Sequence, residues 1–245
     1  MRFLLIVLLF STSLAHAASP KAEAFAPLFE LAGIRLLCEQ SAPLVQRGLS
    51  DKQQAQLAKV FAADGLCLDL AKKLTGKLDQ AQLVKAKSLL ESPLAQGFTA
   101  AERSVGEGGA EGLTAYRTQL VDRPPREERL ALVRRLDAAA HTTTLATLLR
   151  YEVGKTQAFL ALQGRGESID EKALSTQTKA QEDALRASSA QAVESFMLYA
   201  YRQMPSEKLA EYAALYEQPA VAQLLDSSVQ VLPELFAARR AQLKK

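Results

Sequence analysis

Apolar residues in this sequence recur three and four positions apart, in stretches cut by proline and glycine, and nowhere do they alternate at every second position long enough to make a strand. Leu28, Leu31, Ala32 and Leu36 form one such stripe, Leu83, Ala86, Leu89 and Leu90 another, and Leu130, Val133, Leu136, Leu145, Leu148 and Leu149 a third. A chain with only this period buries its apolar surface in one way, helix against helix. Ala, Leu, Gln, Glu, Lys and Arg, which lose little on entering a helix, are abundant, while aromatic residues make up 6% and Trp is absent. The expected fold class is all-α: an irregular multi-helix bundle of about eight to ten helices.

Local signals place the breaks. Pro27 opens a helix that runs through Leu36 and Cys38, and Pro43 kinks or ends it before Gly48. Ser50 with Gln53 and Asp79 with Gln82 have the capping-box form, Gly65 and Gly76 read as stops, and Pro93 begins a further helix. Four glycines and two glutamates between Gly106 and Gly112 read as a loop. Their spacing is not that of a dinucleotide-binding turn, and Glu107 and Glu111 would repel a phosphate. Arg123-Pro124-Pro125 is the second interruption, so the chain divides into residues 1–17, an N-terminal half at 18–122 and a C-terminal half at 123–245. From Pro125 one long run reaches Gln163 with Gly154 as its weak point, and His141 falls on it. Ser168 with Glu171 opens a helix of about thirty residues to Met204, Pro205 and Pro219 start the last two, and Pro233 kinks the final one.

The first seventeen residues read as an address. Arg2 supplies a positive start, Phe3 to Phe10 an apolar run, and Ala15-His16-Ala17 a small-x-small cleavage site, which predicts a signal peptide cut after Ala17. The run is far shorter than the ~20 residues a bilayer-spanning helix needs, so the cleaved chain is expected to keep no transmembrane anchor and to be periplasmic or secreted. A net charge of +3 gives no claim on nucleic acid. Cys38 and Cys67 are the two cysteines, and export takes them where disulfides persist. They are expected to be bonded, a loop closure that contributes about 3.5 kcal/mol in the chain-entropy model; the alternative is a pair of buried thiols. Their spacing is not that of a redox-active Cys-x-x-Cys.

An internal echo runs through the chain at an offset of 126: Leu83, Leu89, Glu91 and Pro93 match Leu209, Leu215, Glu217 and Pro219, with Leu90 opposite Tyr216. Each copy reads as a helix ending at a corner from which a proline starts the next, and it suggests two related helical halves. The corner Leu215-Tyr216-Glu217-Gln218-Pro219 resembles a bacterial secreted family filed as domain of unknown function 2059, whose closing segment has the form Leu-x-x-Tyr-x-x-Pro. The likeness covers about 195–230 and, more faintly, 78–100, where Leu90 stands in place of the Tyr. The resemblance implies an α-helical periplasmic protein and carries over no catalytic residue.

Chemistry-bearing residues are sparse. His141 is the one histidine left after cleavage and is followed by three threonines on its own helix, an arrangement poorly aimed for nucleophilic catalysis. With two cysteines expected to be bridged, it supplies no usual zinc set. No catalytic, metal or cofactor site is therefore assigned. Glu127 and Glu128 stand at a helix start and Arg239 and Arg240 at a helix end, where the dipole favours each sign. Arg123, Arg126, Arg129, Arg134 and Arg135 read as a solvated face with pairs three and four residues apart. The richest aromatic patch, Phe196, Met197, Tyr201, Tyr212 and Tyr216 with Tyr199 and Met204, is either core or a groove for a ligand or partner. These features favour a non-catalytic helical binding or interaction protein, its partner an envelope protein or a small apolar ligand; the alternative is a periplasmic hydrolase whose site assembles from residues far apart in sequence.

Overall fold

The structure, a computed structural model, describes residues 19–106 and 110–243. The expected signal segment and residues 107–109 of the glycine-rich loop lie outside them. Among the described residues every regular element is helical, which makes the fold all-α, with thirteen α-helices rather than eight to ten. In order they are α1 Ala26–Leu31, α2 Ile34–Val45, α3 Asp51–Val60, α4 Ala63–Leu74, α5 Gln80–Leu90, α6 Pro93–Gly106, α7 Ala110–Asp122, α8 Glu127–Ala140, α9 Thr142–Gly164, α10 Glu171–Thr178, α11 Glu182–Ala200, α12 Ser206–Tyr216 and α13 Pro219–Ala241.

The extra helices come from breaks that the apolar pattern hides. The stripe from Leu28 to Leu36 is split at Gly33, which takes φ 71°, a left-handed conformation open to glycine. The run from Pro125 to Gln163 breaks at His141 instead of weakening at Gly154: His141 holds φ 54° between α8 and α9. A left-handed residue with a Cβ costs roughly 1–2 kcal/mol. Contacts on both sides hold it, since the Asp137 carboxylate accepts from the Thr143 backbone N–H at 2.7 Å and His141 Nε2 meets Asp226 of α13 at 2.8 Å. The expected thirty-residue helix is likewise two, α10 and α11, joined through a short 3-10 turn. Its start is capped by Asp170, which accepts from Ala173 N–H at 2.7 Å, and not by the predicted Ser168 box. The Asp79–Gln82 box forms as read, with both reciprocal bonds at 2.7 and 2.8 Å. Pro43 and Pro233 both lie inside helices, and Gly65 lies inside α4, where the Arg239 guanidinium packs against it.

The long last helix α13 runs against α4, α5, α8, α9 and α12, so both halves share one core. Phe61 and Phe236 meet across it at 5.7 Å, and Leu57, Leu74, Val221, Leu224 and Leu225 are buried around them. Each such side chain contributes about 1.5–3 kcal/mol by leaving water. The echoed segments fold alike: α5 and α12 each end at a corner from which proline starts α6 and α13. Burial repeats too, at Leu83 and Leu209, Leu90 and Tyr216, Ala95 and Val221, and Phe98 and Leu224. The second corner is tied sideways, because Arg135 of α8 grips Glu217 through two bonds of 2.7 and 2.6 Å. The basic face of α8 therefore does not pair locally as expected. Arg129 donates to the Tyr201 carbonyl, and Arg134 reaches Glu194 of α11 at 2.9 Å. These arginines strap α8 to α11 and α12.

Candidate functional site

α11 presents two different sides. Ser189, Val193, Met197 and Ala200 recur at helical spacing and point into the core. Ser188, Gln191, Ala192, Ser195 and Leu198 share another side and line a cleft of about 530 Å³. Across from them α7 supplies Arg117, Leu120 and Val121, again at positions three and four apart, while Pro125 of the link and Leu130 of α8 close one end. α7 lies lightly on the molecule: none of its residues is buried, and Val121 is 83% exposed. It is held near its start by Gly112, which has no Cβ to obstruct the Tyr199 hydroxyl, and by Tyr116 tilted on Tyr199 at 5.4 Å. Further along, Arg117 Nε donates to Ser195 Oγ at 2.9 Å.

The aromatic patch read from the sequence stands behind this opening and does not line it. Tyr201, Tyr212, Tyr216 and Met197 are buried, with Phe196 half-buried beside them. Phe98 of α6 stacks on Tyr212 with ring centres 4.2 Å apart and meets Tyr201 edge-on at 5.0 Å, while Tyr216 stands edge-on to Tyr212. The Tyr201 hydroxyl donates to Glu102 at 2.5 Å, and the Tyr212 and Tyr216 hydroxyls bond each other at 3.3 Å. Burial raises Tyr201, Tyr212 and Glu102 above their ordinary ranges and pushes Tyr216 up to about 12. The tyrosines stand as packed core, one of the two readings that the sequence left open.

Cys38 of α2 and Cys67 of α4 are buried with sulfurs 2.7 Å apart. Contact with Cys38 lowers Cys67, against the burial that would raise it, and the nearby Arg35 guanidinium lowers it further. Arg35 also binds Asp64 of α4 at 2.6 Å, across the same helix pair, and Glu39 of its own helix at 2.8 Å.

The sequence reading missed a buried charged network. Glu152 and Lys155 of α9 meet Arg240 of α13 and Glu171 of α10: Arg240 lies 2.7 Å from Glu152 and 2.6 Å from Glu171, and Lys155 lies 2.7 Å from Glu171. Arg240 is 1% exposed, so it is a core residue and not the solvated helix-end cation expected; Arg239 is likewise engaged, with Asp69. Burial pushes Glu171 up, but hydrogen bonds from Arg240 and Lys155 outweigh it and leave the carboxyl below its ordinary value. The signal was present, since Leu149, Glu152, Val153, Thr156 and Phe159 share one helical face, and an acid on an apolar face needs a partner.

Among the described residues no three His, Cys, Asp or Glu side chains gather as metal ligands, and no helix is long and apolar enough to cross a membrane. His141 is bound to Asp226 and does not line the cleft. What the cleft offers is apolar wall, an amide, a guanidinium, two hydroxyls whose protons are given to the Leu185 and Ala192 carbonyls, and one carboxylate already held by Arg134. No protein-family model, curated protein or solved structure matches the chain.

Proposed function

We propose that this chain is an exported, non-catalytic helical binding protein of the periplasm or the cell exterior, and that the cleft between α7 and α11 is where it takes a small, largely apolar ligand. The observation that carries the reading is the cleft itself. Its volume of about 530 Å³ falls in the ordinary range of ligand sites, and its lining of Leu120, Val121, Pro125, Leu130 and Leu198 with a few polar groups has their usual chemistry. Export rests on the leader-like first seventeen residues, and the close approach of Cys38 and Cys67 suits a disulfide formed after it. Tyr216-Glu217-Gln218-Pro219 matches the Tyr-x-x-Pro part of the secreted family's closing segment and supports that resemblance, with Ala213 where the family's Leu would stand.

The test is titration of the purified chain with the neutral apolar dye N-phenyl-1-naphthylamine. Saturable binding near one dye per chain is expected, lost in Leu120→Asp and kept in Leu68→Asp, an exposed leucine on α4. Absence of saturable binding, or equal effects of the two variants, would contradict the reading. Thiol counting on the unreduced, denatured protein tests the bond, and two titratable thiols per chain would refute it.

A further inference from the structure

The cleft carries an electrostatic imbalance that narrows its ligand. Arg117 uses Nε on the neutral Ser195 hydroxyl, and among the described residues no acid lies within ion-pair distance of its guanidinium. A guanidinium has five N–H donors, so most of those of Arg117 stay available to a ligand. At the other end of the same α11 side, Arg150 donates to Ser188 and Ser189 at 2.7 and 3.0 Å and, among the described residues, is also without an acid. The two hydroxyls, on Ser188 and Ser195, are two helical turns apart, about 10 Å. The one carboxylate on the lining, Glu194, is neutralised by Arg134 at 2.9 Å. The cleft thus has apolar lining and, on Arg117, a positive charge that no acid among the described residues compensates, with Arg150 a second such charge beside it.

We propose that the ligand is an amphipathic anion, an anionic head on an unbranched apolar chain. Its head sits on the free N–H groups of Arg117 and on the Gln191 amide, the Ser195 proton being given to the Ala192 carbonyl, and its tail lies among Leu120, Val121, Pro125, Leu130 and Leu198. The inference rests on the cleft being the binding site and adds the sign of the head. A neutral or cationic molecule of the same tail would bury the same apolar area and leave the guanidinium without its partner. A charge pair with one exposed guanidinium is worth enough to separate these ligands by about threefold to fivefold.

The experiment is calorimetric titration of the full chain with decanoate, 1-decanol and decyltrimethylammonium, each below its aggregation limit. Decanoate is expected to bind about threefold to fivefold more tightly than the other two. Arg117→Gln removes that preference, Arg117→Lys retains part of it, and raising the salt concentration weakens decanoate alone. Arg117 is exposed, so both variants are expected to keep the wild-type circular dichroism and melting temperature. Equal binding of the three compounds, or a decanoate preference unchanged in Arg117→Gln, overturns the anionic head and leaves the cleft as an apolar site. Binding of none of them overturns the cleft reading as well.

Discussion

Two buried polar assemblies face different problems and solve them differently. In one, Glu152, Lys155, Glu171 and Arg240 bring two acids and two bases from α9, α10 and α13 into one network, and charge answers charge. In the other, Glu102 lies against Tyr201 in an aromatic cluster with, among the described residues, no base bonded to it, and its donor is a tyrosine hydroxyl. The carboxyls do not divide simply by assembly: Glu171 is held below its ordinary value by its donors, whereas burial holds Glu102, and also Glu152 inside the charged network, above theirs. A helical core accepts an acid either by supplying a counter-ion or by keeping the proton on it. The first solution ties distant helices together. The second merely tolerates the acid.

Breaking the charged network should have the largest effect. Arg240→Met leaves Glu152 and Glu171 facing Lys155 alone, and removing one partner of a buried pair costs about 3–5 kcal/mol. Urea unfolding would show it as a lowered midpoint, and a loss under about 1 kcal/mol would mean that the network contributes little. The neutral assembly should yield less: Tyr201→Phe keeps the ring packing but strips Glu102 of its donor, for about 1–3 kcal/mol.

The pH dependence sharpens the contrast by sign. Because Glu102 is raised in the folded state, the fold binds the extra proton, so stability falls as pH rises from the ordinary carboxylate value through the raised one. Glu102→Gln should remove that decline, most visibly above the raised value. Glu171 works the other way: its stabilisation is present above the ordinary carboxylate value and disappears as pH falls through the lowered one, so Glu171→Gln should differ most from wild type near neutrality and least in acid. Unfolding free energies measured across acid to neutral pH would reveal both, and parallel curves for the two variants would erase the distinction. The smallest effect belongs to the exposed Arg135–Glu217 bridge, where Glu217→Gln should cost less than about 1 kcal/mol despite its two-bond geometry.

Much of the fold was legible because its stripes have a single period. The Asp79–Gln82 cap and the two proline corners follow from residues close in sequence, while the approach of Cys38 and Cys67, 29 residues apart, was expected from their being the chain's two cysteines. The break at His141 was not legible, because a left-handed histidine is held by Asp137 and Asp226, and Asp226 belongs to a helix far along the chain. Arg240 was misread for a similar reason: its place at a helix end suits a solvated cation, and only the packing of α9 and α10 makes it core. The aromatic patch left groove and core open. Phe98 of α6 decides for core, since its ring fills the space between Tyr201 and Tyr212. The cleft was hidden most completely, as its walls are ordinary residues from α7, the 123–126 link, α8 and α11 that acquire meaning only when α7 lies across α11.

The central claim is that recognition takes place at the α7–α11 cleft, in front of a closed aromatic core. Hydrogen–deuterium exchange of the intact chain with and without saturating decanoate tests it most directly. The account predicts slowed exchange in 110–125 and 188–198, with 209–219 unchanged. Protection confined to 209–219, or no protection anywhere, would contradict it.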